Sequence, residues 1–411
     1  MDAEVIVVGA GLAGLACAIA LHRRGVDVAV LEAGDGVGGR VRTDVVDGFR
    51  LDRGFQVLLT AYPEARHQLD LAALDLRAFE PGAMVRVDGR FHRVADPVRR
   101  PRHLLATLRA PVGSLRDKVR IGLLRRRVMK AEPASLLKAP ETTTFGHLHD
   151  LGFSDEIVQR LWRPWFGGVL LDPELSTSSR MFDILFRSFA AGDAAVPAAG
   201  MGAVSDQLAA RLPGGCVRLR ATVAEARAGE VRTADGDHLR ALAVVVATDG
   251  PTAAHLLGTD DPGSRSSTSV WFAAERAPLD EPVLLVDGEG RGPATSVAEL
   301  STVAPTYAPP GAVLLVASIP GVLAPDRAED VRIQLRGWFG AQVDGWRVLR
   351  TDAIHHGLPE QLPPFDPKRA VALRPGLFVC GDHRDTGSIQ GALHSGRRTA
   401  VAVADRLERT P

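Results

Sequence analysis

The chain has 411 residues, 45% of them hydrophobic, with 49 basic and 49 acidic side chains. That length can bury a large core and makes two domains the expectation. The balanced charge removes any global reason to expect a nucleic-acid partner.

The first element is a short apolar strand, Val5 to Val8, running into Gly9-Ala10-Gly11-Leu12-Ala13-Gly14. A helix-like segment from Leu15 to Arg24 follows, then a second apolar strand from Val26 to Leu31 that ends at Glu32. This is a βαβ unit with the spacing of a dinucleotide site. Gly9 permits the tight turn, Gly11 leaves the backbone open to a pyrophosphate, and Gly14 lets helix and strand pack closely. The positive end of the helix then faces the phosphates. Glu32 stands where an acid accepts hydrogen bonds from ribose hydroxyls, and its charge disfavours a 2′-phosphate. Gly38-Gly39-Arg40 comes next; an arginine fork behind two glycines matches diphosphate oxygens, the bland alternative being a solvated loop arginine.

From Arg99 to Lys130 there are nine arginines and two lysines against one acid, Asp117. Leu104, Leu105, Leu108, Leu115, Val119, Leu123, Leu124, Val128 and Met129 are interleaved with them. Basic charge beside an apolar face suits docking onto anionic lipid. A solvated helix packed on its own core accounts for the same pattern. Further along, Val217 to Val223, Ala241 to Thr248, Val283 to Val286 and Ala312 to Ser318 read as strands, while 61–196 reads as mainly helical. Leu377 to Asp382 is a strand ending in Gly381-Asp382. It leads through Thr386-Gly387-Ser388 into Ile389-Gln390-Gly391-Ala392 and a helix reaching about Leu407. A carboxylate there suits ribityl hydroxyls, and backbone N–H groups at the helix start suit negative charge on a flavin.

Cys17, Cys216 and Cys380 are far apart in sequence and sit in apolar settings. They show neither a disulfide framework nor metal-ligand spacing, which points to a reducing compartment. No signal-peptide pattern and no apolar run near the roughly 20 residues of a membrane span is visible. The expected location is cytoplasmic, with membrane contact, if any, peripheral through 99–130.

Taken together, VVGAGLAGLACAIAL, LEAGDGVGGRVRT, GFRLDRGFQ and LFVCGDHRDTGSIQGALHSGRRTA resemble the FAD-dependent superfamily of flavin amine oxidases, phytoene desaturases and protoporphyrinogen oxidases. WRPWFGG and VPAAGMGAVSDQLAARL resemble it more loosely. The resemblance implies an α/β fold: a Rossmann-like FAD-binding domain, discontinuous over 1–60, 197–250 and 365–411, with a mixed α+β substrate domain from 61–196 and 251–364. It implies that Gly9, Gly11, Leu12, Ala13 and Gly14 wrap the diphosphate. Glu32 takes the adenosine ribose and Gly39 and Arg40 approach the diphosphate, with Ala33 and Gly38 also in the cofactor-binding set. Gly54 and Phe55 pass the isoalloxazine, and Val223 pairs with adenine through its backbone. Gly381 and Asp382 take the ribityl chain. Ile389 and Gln390 lie against the pyrimidine edge, and Ser388, Ala392 and Ala247 complete the cofactor-binding set.

The implied chemistry is acceptance of hydride by FAD at N5, with the protein placing a C–H bond against that atom and excluding water. No metal site is expected. The amine oxidase branch commonly uses a lysine beyond mid-chain, and none occurs from Ala139 to Pro367. It also uses aromatic side chains, one of them in the C-terminal motif, where this chain reads TGSIQ. Both departures favour a desaturase-like oxidoreductase acting on a lipophilic substrate of isoprenoid or fatty-acyl type. A double-bond isomerase, an amine oxidase and a non-catalytic prenyl- or lipid-binding escort stay open as alternatives. Oxygen, a quinone or another protein are all compatible electron acceptors, and no second GxGxxG marks an NAD(P) site. Candidate active-site residues are Gln56, His383, His355 with His356, and Arg163, the last expected to line the cavity with Trp162 and Trp165 and hold an anionic head group. For each, a structural role is the competing reading.

Overall fold

The computed structural model describes residues 2–324 and 327–408. The expected domain edges at 1 and 411 lie outside the described residues. Two large sheets organise the molecule. The first has six strands in the order Val217–Arg218, Val28–Leu31, Val5–Val8, Ala243–Val246, Leu377–Val379, Ala372–Arg374. Its first five strands run parallel and the last is antiparallel. The central strands VIVV, VAVL, AVVV and LFV are buried throughout, as a parallel sheet covered on both faces requires. Every strand of this sheet comes from 1–60, 197–250 or 365–411, so it is a Rossmann-like sheet built from three separated stretches.

The second sheet has seven strands, in the order Arg347–Pro359, Ser264–Ala274, Val313–Pro320, Ser296–Glu299, Leu284–Val286, Gly82–Val87, Arg90–Ala95. Its pairs are antiparallel except Leu284–Val286 with Gly82–Val87. Side chains alternate between its faces. Val270 and Phe272 join a core that includes Val331 and Leu335 of the helix Ala328–Phe339, while Trp271 joins the main core on the other face.

Several elements differ from the sequence reading. The first helix spans Leu12–His22, three residues earlier than expected, because Gly11 itself is its N-cap. Val217–Arg218 and Val223–Arg227 belong to two different sheets rather than one strand. The stretch 61–196 is not wholly helical. It contributes the hairpin Gly82–Val87 and Arg90–Ala95, turned at Asp88 (φ 50°) and Gly89 (φ 74°), the positive-φ pair that two-residue hairpins select. Cys17 and Cys380, far apart in sequence, are both fully buried, and both are free thiols. Among the described residues no helix is long and apolar enough to cross a membrane.

Candidate functional site

The glycine turn is built as its spacing requires. Gly9 turns the chain at φ +104°. A Cβ on Gly14 would lie 2.0 Å from the Gly9 carbonyl oxygen, so the helix sits directly against the turn. A Cβ on Gly11 would meet nothing within 4 Å. The crowding is therefore on the protein side of the loop and the space on its outer side. The helix Leu12–His22 has no side-chain cap and no acid in its first turn, which leaves its positive end available to an anion. These features fit a dinucleotide diphosphate.

The predicted neighbours gather there. Gly38 N–H donates to the Ala10 carbonyl at 2.8 Å, and Gly38 bridges Gly11. Gly39 lies beside Gly11, with Ala33 exposed nearby in the chain. Ala247 packs under Gly9 and Gly14. The Glu32 carboxylate accepts from Ala10 N at 2.7 Å and Gly34 N at 2.8 Å, which fixes its orientation and leaves further lone pairs for hydroxyls. Val223 opens the small sheet Val223–Arg227, Glu230–Thr233, His238–Arg240.

Arg40 joins three distant parts of the chain. It donates to Asp382 Oδ1 at 2.8 Å and to the Gly357 carbonyl at 2.7 Å. Burial opposes its charge, but Asp382 and Asp249 outweigh burial and hold the guanidinium pKa above its ordinary value. Gly381 donates to Ser395 Oγ. Ser388 Oγ accepts from Gly391 N at the start of the helix Ile389–Glu408, and Ala392 N continues to the Ser388 carbonyl. Gln390 Oε1 accepts from Glu64 N at 2.8 Å. Tyr62 is buried, and burial pushes its phenol above the ordinary range.

Beyond Gly54 the chain turns into a large apolar cavity of about 530 Å³. A Cβ on Gly54 would lie 3.4 Å from Ile354 Cγ1. Phe55 is anchored by its N–H on Ser269 Oγ at 3.1 Å. Phe55 and Val57 line the cavity together with Phe79, Trp162, Trp165 and Phe189. Trp162 and Trp165 stack, with ring centroids 5.9 Å apart and planes 8° apart.

The proposed active-site side chains divide. Gln56, between two lining residues, points elsewhere; its Nε2 donates to the carbonyls of Arg40 (2.7 Å) and Arg53 (2.9 Å). Arg163 does not line the cavity with the two tryptophans. It donates to the Pro173 carbonyl and pairs with Glu174, because positions 163 and 165 are about 200° apart around a helix. His355 is exposed on the strand Arg347–Pro359 and outside the cavity wall. His356 meets Ser264 Oγ at 2.7 Å. His383 is buried with Nδ1 unpartnered, and burial drives its pKa down to about 4.

One hub escaped the sequence reading. Asp52, 1% exposed, accepts from Thr43 Oγ1, Met201 N and Tyr307 OH. Burial outweighs those bonds and raises its pKa to about 6. Asp52 lies inside the GFRLDRGFQ motif, but nothing in sequence links it to Tyr307.

Comparison with known proteins matches residues 12–404 to the family model described as flavin containing amine oxidoreductase. Protoporphyrinogen oxidase 2 of Arabidopsis thaliana is 30% identical over 184 residues, 44% of this chain and 36% of that protein. Hydroxyneurosporene desaturase of Rhodobacter capsulatus is 42% identical over 81 residues, 19% of this chain and 15% of that one. The matched stretches thus span about a third of the plant protein's length and less of the bacterial one's. The solved structure of an oxidoreductase from Methanosarcina mazei superposes with a TM-score of 0.74 at 18% identity, covering 97% of this chain and 99% of that one, which shows a shared fold. With the glycine turn, Glu32, Arg40 and Asp382 assembled around one loop, the chain belongs to the family of flavin-containing amine oxidoreductases, and its cofactor is FAD.

Proposed function

We propose that this oxidoreductase dehydrogenates a lipophilic substrate, of isoprenoid or fatty-acyl type, held in the aromatic cavity beyond Gly54. The observation that carries the reading is the cavity wall. Phe55, Phe79, Trp162, Trp165, Phe186 and Phe189 line it, and the carboxylates in it are already engaged, Glu80 by Arg100 and Arg102 and Asp96 by Arg125. Such a wall holds an apolar chain, keeps water out and offers no free carboxylate to an amine. Bound FAD supplies the two-electron acceptor. The protein's part is to hold the chain between flat rings and present one C–H bond beside Gly54. The absence of lysine between 139 and 367 supports this reading over amine oxidation. In an anaerobic titration of the yellow holoenzyme, polyene or acyl substrates are expected to bleach the flavin; bleaching by small amines alone overturns the reading.

The segment 104–109 and the helix Leu115–Lys130, which contribute Leu108, Ile121 and Met129 to the cavity wall, also carry exposed side chains that support peripheral docking on an anionic bilayer. Leu105, Leu115, Val119 and Leu123 are 63%, 63%, 62% and 59% exposed, and Arg109 and Arg116 stand exposed among them. Each such cation contributes about 1 kcal/mol near an anionic surface. Salt-sensitive co-sedimentation with phosphatidylglycerol vesicles is the expected result. No binding at low salt removes the bilayer from the proposal.

A further inference from the structure

The charge around the cavity does not match a wholly neutral occupant. Five cations belong to its lining, Arg99, Lys118, Arg125, Arg126 and Lys130. Three are held by the chain itself. Arg99 pairs with Asp193, Arg125 with Asp96 at 2.9 Å, and Lys118 Nζ donates to the carbonyls of Leu108 and Ala110 at 2.8 and 2.6 Å. Among the described residues, the side chains of Arg126 and Lys130 have no hydrogen-bond or ion-pair partner. They stand one turn apart on the helix Leu115–Lys130. Ile121, Gly122 and Met129 of that helix also line the cavity, so the two cations border the same apolar space. Their stems extend the apolar wall and their heads stay at the wet rim. Unpaired charge at the edge of a low-dielectric cavity attracts a counter-charge more strongly than the same charge on open surface.

We infer that the substrate is an anionic amphiphile, a carboxylic acid whose chain lies among the aromatic rings and whose carboxylate is held at the mouth by Arg126 and Lys130. This rests on the lipophile-dehydrogenase reading and narrows its substrate to acids. An arginine fork with an ammonium one turn away binds a carboxylate by charge-assisted hydrogen bonds. The acid end fixes how deep the chain reaches, and so which C–H bond arrives beside Gly54.

The test uses the holoenzyme without vesicles, monomeric dodecanoate against its methyl ester, and binding read from the flavin difference spectrum. The acid is expected to bind about tenfold more tightly than the ester, the size of one charge-assisted contact. In the double variant Arg126→Gln, Lys130→Gln, that preference falls to near unity. Equal affinity for acid and ester in the unmodified protein overturns the inference and leaves the dehydrogenase reading standing. A double variant that loses vesicle binding but keeps the acid preference assigns the two cations to lipid head groups and also overturns it. If neither ligand perturbs the flavin, the inference falls, while the dehydrogenase reading is decided separately by the anaerobic bleaching titration.

Discussion

Gly11 and Gly14 stand three residues apart in one motif, yet a methyl group on each meets opposite surroundings. Gly11→Ala adds a Cβ with nothing within 4 Å. Its apo-protein is expected to melt within about 1 °C of the parent while losing FAD on dialysis, read as the flavin-to-protein absorbance ratio. Gly14→Ala drives a Cβ to 2.0 Å from a backbone oxygen, and an overpacked site of this kind costs about 1–3 kcal/mol. Chemical denaturation of the apo-protein separates the two. Asp52 carries a pH signature. Its folded pKa of about 6 lies above the ordinary 3.8, so the stability it contributes is fully present below 3.8 and is lost as pH rises through 6. A rise of that size is worth about 3 kcal/mol. Asp52→Asn is expected to gain about that much on the parent between pH 4 and pH 7. Parallel stability curves for the two proteins contradict the assignment.

The helix Leu115–Lys130 shows how one element serves three surroundings. Ser114 and Asp117 form a reciprocal capping box, and Asp117 also accepts from Ser154 N and Oγ. Burial alone raises the Asp117 pKa, but these bonds outweigh it and hold the carboxyl below its ordinary value. The one acid of the basic stretch is thus its anchor. Leu124 and Val128 are buried, at 2% and 0% exposure. Leu115, Val119 and Leu123 are spaced every four residues on a different side and stay in solvent. The helix therefore packs one face on the core, as the solvated-helix reading of 99–130 expects, and leaves another uncovered. Leu124→Ala is expected to cost about 2–5 kcal/mol in urea denaturation. Val119→Ser changes stability by less than about 0.5 kcal/mol and instead weakens vesicle binding.

At the scale of the whole molecule, the two ends of the chain close on each other. The helices Leu12–His22 and Ile389–Glu408 cross so closely that a Cβ on Gly396 would lie 2.1 Å from the Ala13 carbonyl oxygen. Arg40 ties the same two ends to the strand Arg347–Pro359 through Asp382 and Gly357. Asp382 is nearly buried and Arg40 one-third exposed. Removing the arginine strands a buried carboxylate, and water screening keeps the cost at about 2 kcal/mol. Arg40→Met is expected to lower apo-protein stability by that amount and to abolish FAD retention. Asp382→Asn, which keeps an acceptor for Arg40, is expected to lose less of both. Equal effects of the two variants contradict the clamp.

The dinucleotide loop was legible because its logic is local: a strand, three glycines, a helix and an acid lie within 28 residues, from Val5 to Glu32. Steric demand at each glycine leaves few other uses for that order. The Asp88-Gly89 hairpin was equally local, a turn signal within a stretch read as mainly helical. The Arg40–Asp382 pair could be named end by end but not as a contact, since 342 residues separate its members. The Asp52–Tyr307 bond, the aromatic wall and the side on which Arg163 emerges depend on packing between distant elements. So does the absence of a partner for Arg126 and Lys130 among the described residues. A sequence states that a side chain carries charge. Whether that charge is neutralised depends on which distant partners the fold brings within a few ångströms, and that was decided by the tertiary structure alone.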